Sequence, residues 1–171
     1  MVGRSVALSL PLVAALAAVT SAQTPETATS RVSVELISRA DALKIADAAV
    51  QACERQGETV AAFVTDADGY LRAALSSDGL NPVGFDTASR KTTSVLQFKM
   101  STRALQERLK SEPTFAAQYG SDARYFFHPG GVPMYRSGKF VAVIAVGGGH
   151  DKDESCALEA LRLLSWARPT A

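Results

Sequence analysis

Gly147-Gly148-Gly149-His150-Asp151 joins a β-rich run to a helical one. Three glycines let the backbone curl closely, and N–H groups at a helix N-terminus attract anions. A ligand carboxylate or phosphate suits such a turn. A tight strand-to-helix connection accounts for the same residues. The segment is not G-x-G-x-x-G, and no Gly-Lys-Ser/Thr follows, so neither the dinucleotide fingerprint nor the P-loop applies.

The chain has two histidines. His128 lies in Phe126-Phe127-His128-Pro129-Gly130-Gly131, and His150 follows the glycine triplet. Both sit beside irregular, Gly-rich backbone. A neutral imidazole there can ligate haem iron, and it can equally be an ordinary solvated or hydrogen-bonded side chain. Arg90 and Lys91 are adjacent on a predicted helix, so at most one faces a sheet. Long basic side chains usually reach for water. One of them can instead pair with a ligand carboxylate, and Arg is the better bidentate partner.

Asp151, Asp153 and Glu154 fall in the first turn of the last predicted helix, where acids complement the helix dipole. They are also cation ligands by type, but no matching cluster stands elsewhere. Cys53 and Cys156 sit on apolar helix faces. Buried thiols or a disulfide both fit, the latter if the first and last helices lie side by side. No Gly-x-Ser-x-Gly elbow and no Cys–His nucleophile pair occurs, so no catalytic residue is assigned.

Several elements must position these residues. Ser38 and Asp41 form a near capping box. Ala42, Ile45, Ala46, Ala49, Val50 and Cys53 follow on one helical face, stopped by Gln56-Gly57. Thr59–Thr65 and Tyr70–Leu75 read as strands around an Asp66–Gly69 turn. Phe85–Met100 reads as a helix with Phe85, Ala88, Val95 and Leu96 on one face and Thr92 as a further candidate there, and Leu105 and Leu109 suit a short helix. Residues 111–131 read as a long loop. Val132–Arg136 and Lys139–Val146 flank Ser137-Gly138, a second hairpin. Asp151–Ala167 reads as the final helix, with Cys156, Ala160, Leu163, Leu164 and Ala167 inward. Hairpin-joined strands predict an α+β fold with an antiparallel sheet and helices packed on it.

Of 171 residues, 47% are hydrophobic and 20% charged, which excludes disordered, collagenous and coiled-coil chains. Eighteen basic against seventeen acidic residues give a formal charge of +1, which argues against a nucleic-acid partner. Arg4, an apolar run over Val6–Val19 and Thr20-Ser21-Ala22 form a signal-peptide pattern over residues 1–22. The run is shorter than the roughly 20 residues of a membrane span. Cleavage after Ala22 removes 22 of the 171 residues and leaves 149, with Arg4 gone and 17 basic against 17 acidic side chains. The expectation is export to the periplasm or beyond, no stable membrane insertion, a flexible lead-in over 23–35 and one domain over 36–168.

Six segments in order resemble one family. They are Ala42–Ala49, Val60–Leu71 with its D-x-x-G turn, Asp78-Gly79, Ala88-Ser89-Arg90-Lys91, Gly130-Gly131-Val132-Pro133-Met134, and Val143–Gly149 followed by Asp153-Glu154 and Ala157. Together they resemble the GlcG/HbpS-like haem-binding, or haem-degrading domain, family over about residues 36–164. The chain departs from that pattern at Thr92, Ala142 and Ala145, and neither histidine falls on a family motif. The resemblance implies an α/β/α sandwich around an antiparallel sheet, similar to profilin and PAS-like folds. It also implies homo-oligomers and haem or a related tetrapyrrole as cofactor. The cofactor-binding candidates are then Arg90, Lys91, Gly130, Gly131, Pro133, Gly147, Gly148 and Gly149, with His128 and His150 as candidate iron ligands. Weak haem-dependent degradation or peroxidase-like activity would need no catalytic side chain. The alternatives are a non-haem small-ligand or interaction module, and an enzyme or accessory protein acting on a small organic acid.

Overall fold

The computed structural model describes Gly3 and residues 37–163. The signal-peptide pattern, the lead-in and the end of the last helix, with Leu164 and Ala167, lie outside those residues.

Helix α1 spans Arg39–Glu54 and is capped as its sequence demands: the Asp41 N–H donates to Ser38 Oγ at 3.0 Å. Strands β1 (Ala61–Asp66) and β2 (Leu71–Ser76) form the first hairpin. Helix α2 runs from Pro82 to Phe98, one turn earlier than periodicity suggested. Asn81 caps it through a 2.6 Å bond from the Val83 N–H, and Pro82 fills the first turn. Phe85 is consequently half-exposed, and Lys91, Thr92 and Ser94 share the buried face with Ala88 and Val95.

Helix α3 spans Thr102–Ser111. The expected long loop after it holds another helix, α4, at Pro113–Tyr119. Phe115 and Tyr119, one turn apart, anchor it to Phe98, Tyr125 and Phe127 in a satellite aromatic core. Strands β3 (Gly131–Arg136) and β4 (Lys139–Gly147) form the second hairpin. Ser137 and Gly138 both have positive φ, as a tight two-residue turn requires. A 3-10 turn at His150–Lys152 precedes the last helix, α5, at Asp153–Leu163. That helix turns Cys156, Ala157, Ala160 and Leu161 inward; Leu163, expected inside, is exposed.

The four strands form one antiparallel sheet in the order β2-β1-β4-β3. All six residues of β1 are buried, because helices cover both faces. One core joins α1 and α5 to Ala62, Val64, Ile144 and Val146. On the other face Ala61 and Phe63 meet Ala88 of α2. The fold is α+β, three layers deep, as expected. The Ala-rich face of α1 lets α5 approach closely, and Cys53 and Cys156 are disulfide-bonded across them with a Cα separation of 5.4 Å.

Candidate functional site

The site lies where β4 ends. Gly147 sits opposite Ala61 with no room for a side chain: a Cβ there would stand 2.5 Å from the Ala88 backbone nitrogen. Helix α2 therefore rides directly on the strand end. Its next turn brings Lys91 to the same level.

Lys91 is buried at 1% exposure, deep for a lysine. Its Nζ donates to Asp153 Oδ2 at 2.6 Å and to the Val146 carbonyl at 2.9 Å. Asp153 Oδ1 accepts the Gly149 N–H at 2.8 Å. Burial pushes Lys91 below the usual lysine range, against the pull of Asp153 and then of Glu154. Burial likewise raises Asp153, opposed chiefly by Lys91. Desolvation disfavours both charges and their contact opposes it. The pair joins α2 to α5, from opposite layers of the fold, around the end of the sheet. Beside it, Glu154 hydrogen-bonds Arg103 of α3.

Glycines make the pair possible. Gly130 has φ +137°, and a Cβ there would stand 2.7 Å from Lys91 Nζ and 2.6 Å from the Val146 carbonyl. At Gly131 it would meet Val95 and Thr102 within 3.0 Å. Gly130, Gly131, Gly147 and Gly149 thus admit neighbouring atoms at the level of the ion pair, while Pro133 is buried within edge strand β3.

Lys91 and Asp153 form part of the wall of a cleft of about 420 Å³. Leu80, Val83 and Phe126 give it apolar surface, and Gly148, His128 and His150 complete the functional lining. Both histidines of the chain therefore reach one cavity. His150 is exposed, at φ 53°. His128 is partly buried, with Nε2 3.6 Å from Asp151 Oδ1. Among the described residues no group of three or more His, Cys, Asp or Glu is placed to hold a metal ion. Asp153 and Glu154 pair with Lys91 and Arg103, while Asp151 stands exposed beside His128.

Arg90 and Lys91 both approach the Phe126 ring, but Arg90 bonds a different partner. It donates from Nη2 to the Tyr125 carbonyl at 2.8 Å and lines a neighbouring groove of about 460 Å³ that also reaches Phe126 and His128. Sequence reasoning named Asp153 as a dipole acid and missed its role. A lysine at a helix position otherwise buried was the available signal.

The family model "Haem degrading protein HbpS-like" matches residues 37–162. The chain belongs to the HbpS-like family. It is similar to the crystal structure of HbpS at 30% identity and a TM-score of 0.66, covering 85% of this chain and 99% of that one. A double mutant of HbpS from Streptomyces reticuli is 31% identical at the same TM-score, covering 90% and 99%. A PduOC:heme complex shares the fold at 18% identity and a TM-score of 0.70, covering 79% and 99%. No match was found among curated proteins. Three of the motifs that carried the resemblance meet at this site: Lys91 of Ala88–Lys91 binds Asp153 of the Asp-Glu pair, against Gly130 and the end of β4.

Proposed function

We propose that this HbpS-like protein binds haem, or a related tetrapyrrole, in the cleft at the end of β4, and that it works outside the cytoplasm. One observation carries the reading: the two histidines of the chain line the same part-apolar cavity. Neutral imidazole is an iron ligand, and Leu80, Val83 and Phe126 offer the macrocycle an apolar face. The cavity falls in the range of about 300–1,000 Å³ typical of small-molecule sites. These residues fit the group. The haem-degrading description of the family and the PduOC:heme complex support the reading.

Haem supplies redox and oxygen chemistry when bound. The chain binds, orients and shields it. His128 and His150 are the candidate iron ligands. Asp151 Oδ1 lies 3.6 Å from His128 Nε2, on an exposed side chain beside the ring. The Lys91–Asp153 pair holds the wall rigid. No side chain is needed as a catalyst, so haem handling or redox sensing rests on the bound group alone. Export is supported by the signal-peptide pattern and by the Cys53–Cys156 disulfide, a bond that persists in oxidising compartments.

Hemin titration of the mature protein, followed at the Soret band, tests this. The expected result is a band that saturates at stoichiometric hemin and shifts in His128→Ala or His150→Ala. An unchanged spectrum in both variants would overturn the ligand assignment. No Soret change in the wild type would overturn haem binding itself.

A further inference from the structure

The cleft has an unbalanced feature. A tetrapyrrole such as haem carries carboxylate arms, yet the ionised residues lining the cleft are Glu58, Lys91 and Asp153. Lys91 is spent on Asp153 and the Val146 carbonyl. The Gly149 N–H is spent on Asp153 as well. A carboxylate pushed into this cavity meets two acids and a neutralised lysine, so desolvating it there is unfavourable.

The neighbouring groove differs. It shares Phe126 and His128 with the cleft, and Arg90 lies on its wall. Asp122, its only acid, accepts from Arg124 at both carboxylate oxygens, which holds its carboxyl below the usual range, at about 2. Arg90 itself is anchored at one corner: Nη2 reaches the Tyr125 carbonyl and the guanidinium lies 5.3 Å from the centre of the Phe126 ring. Its Nη1 has a single long contact, 3.5 Å to the exposed Asp86. Its Nε is buried with no hydrogen-bond partner. The guanidinium is positioned but under-used, which suits it to a carboxylate.

We infer that the site has two lobes: the apolar cleft receives the macrocycle, and the groove beyond Phe126 and His128 receives an acidic arm on Arg90. This rests on the haem reading above and assigns the carboxylate to Arg90 rather than to Lys91 or the glycine turn. Asp86 competes with the ligand for Nη1.

Hemin and hemin dimethyl ester separate the two ideas, since the ester keeps iron and ring but carries no carboxylate. The wild type binds hemin more tightly than the ester. Arg90→Gln loses about tenfold of hemin affinity, the scale of one charge-assisted hydrogen bond, and leaves ester affinity unchanged. Arg90→Lys restores part of the preference. Asp86→Ala, on an exposed side chain, tightens hemin and not the ester; it carries the test if Arg90→Gln fails to fold. Equal affinity of the wild type for hemin and ester, or an Arg90→Gln effect of the same size on both, overturns the Arg90 assignment while haem binding stands. No Soret change with either compound overturns the haem reading and this inference together.

Discussion

The Lys91–Asp153 contact concentrates the chemistry of the site into one ion pair. Removing either partner leaves a charge in a place that water does not reach. Lys91→Met or Asp153→Ala should therefore cost about 3–5 kcal/mol, read as a fall in the urea midpoint at unchanged slope. Replacing both, as Lys91→Met with Asp153→Leu, should recover most of that loss. A double variant as unstable as the two losses combined would contradict the pairing. Gly130→Ala should also unfold the protein earlier, because its φ of +137° and the contact with Lys91 Nζ admit no Cβ. The residues that could do chemistry were legible from type and neighbourhood: His128 and His150 stood beside Gly-rich backbone, and both reach the cleft. Their convergence was not legible, since it depends on where β4 ends relative to the loop before β3. Asp153 was hidden for a related reason. Its partner lies 62 positions away, and a helix-dipole role already explained an acid there.

At the scale of elements, caps and turns carried the most information. Ser38 and Ser137-Gly138 act as their types required. Asn81-Pro82 breaks the chain after β2 and also starts α2, since an Asx cap followed by Pro both ends one segment and begins the next. Asn81→Ala should destabilise the fold by about 1 kcal/mol in thermal or urea unfolding, with the N-terminal turn of α2 fraying first in hydrogen exchange. Helix α4 escaped notice because its seven residues give a single heptad of period, and it is anchored by aromatic packing on Phe98 and Tyr125 rather than by pattern. The disulfide is the strongest link between α1 and α5. It spans 103 positions, so reduction should remove roughly 2–5 kcal/mol of stability, seen as a lower urea midpoint in the presence of a thiol. Two free thiols in a non-reducing mass measurement would contradict it.

The chain is near-neutral, and its described residues 37–163 form a three-layer domain with the candidate site at one end of the sheet. Balanced charge gave no hint of a ligand, because the cleft neutralises its own lysine and leaves the useful cation, Arg90, to the adjoining groove. The family came through in ordered short motifs, each weak alone. The structure brings three of them together, for Lys91, Gly130 and Asp153 meet at one buried contact. The proposed export is tested at this scale too. The mature protein should begin at Gln23, which N-terminal sequencing of material recovered from the envelope or medium checks directly; an intact Met1 there would contradict cleavage. The central claim is haem binding by the two histidines together. Its most direct test compares hemin titrations of the wild type and a His128→Ala/His150→Ala double variant of matched stability. The expected result is a saturable Soret band in the wild type that is lost or strongly shifted in the double variant. The same spectrum in both proteins, or no Soret change in either, would contradict it.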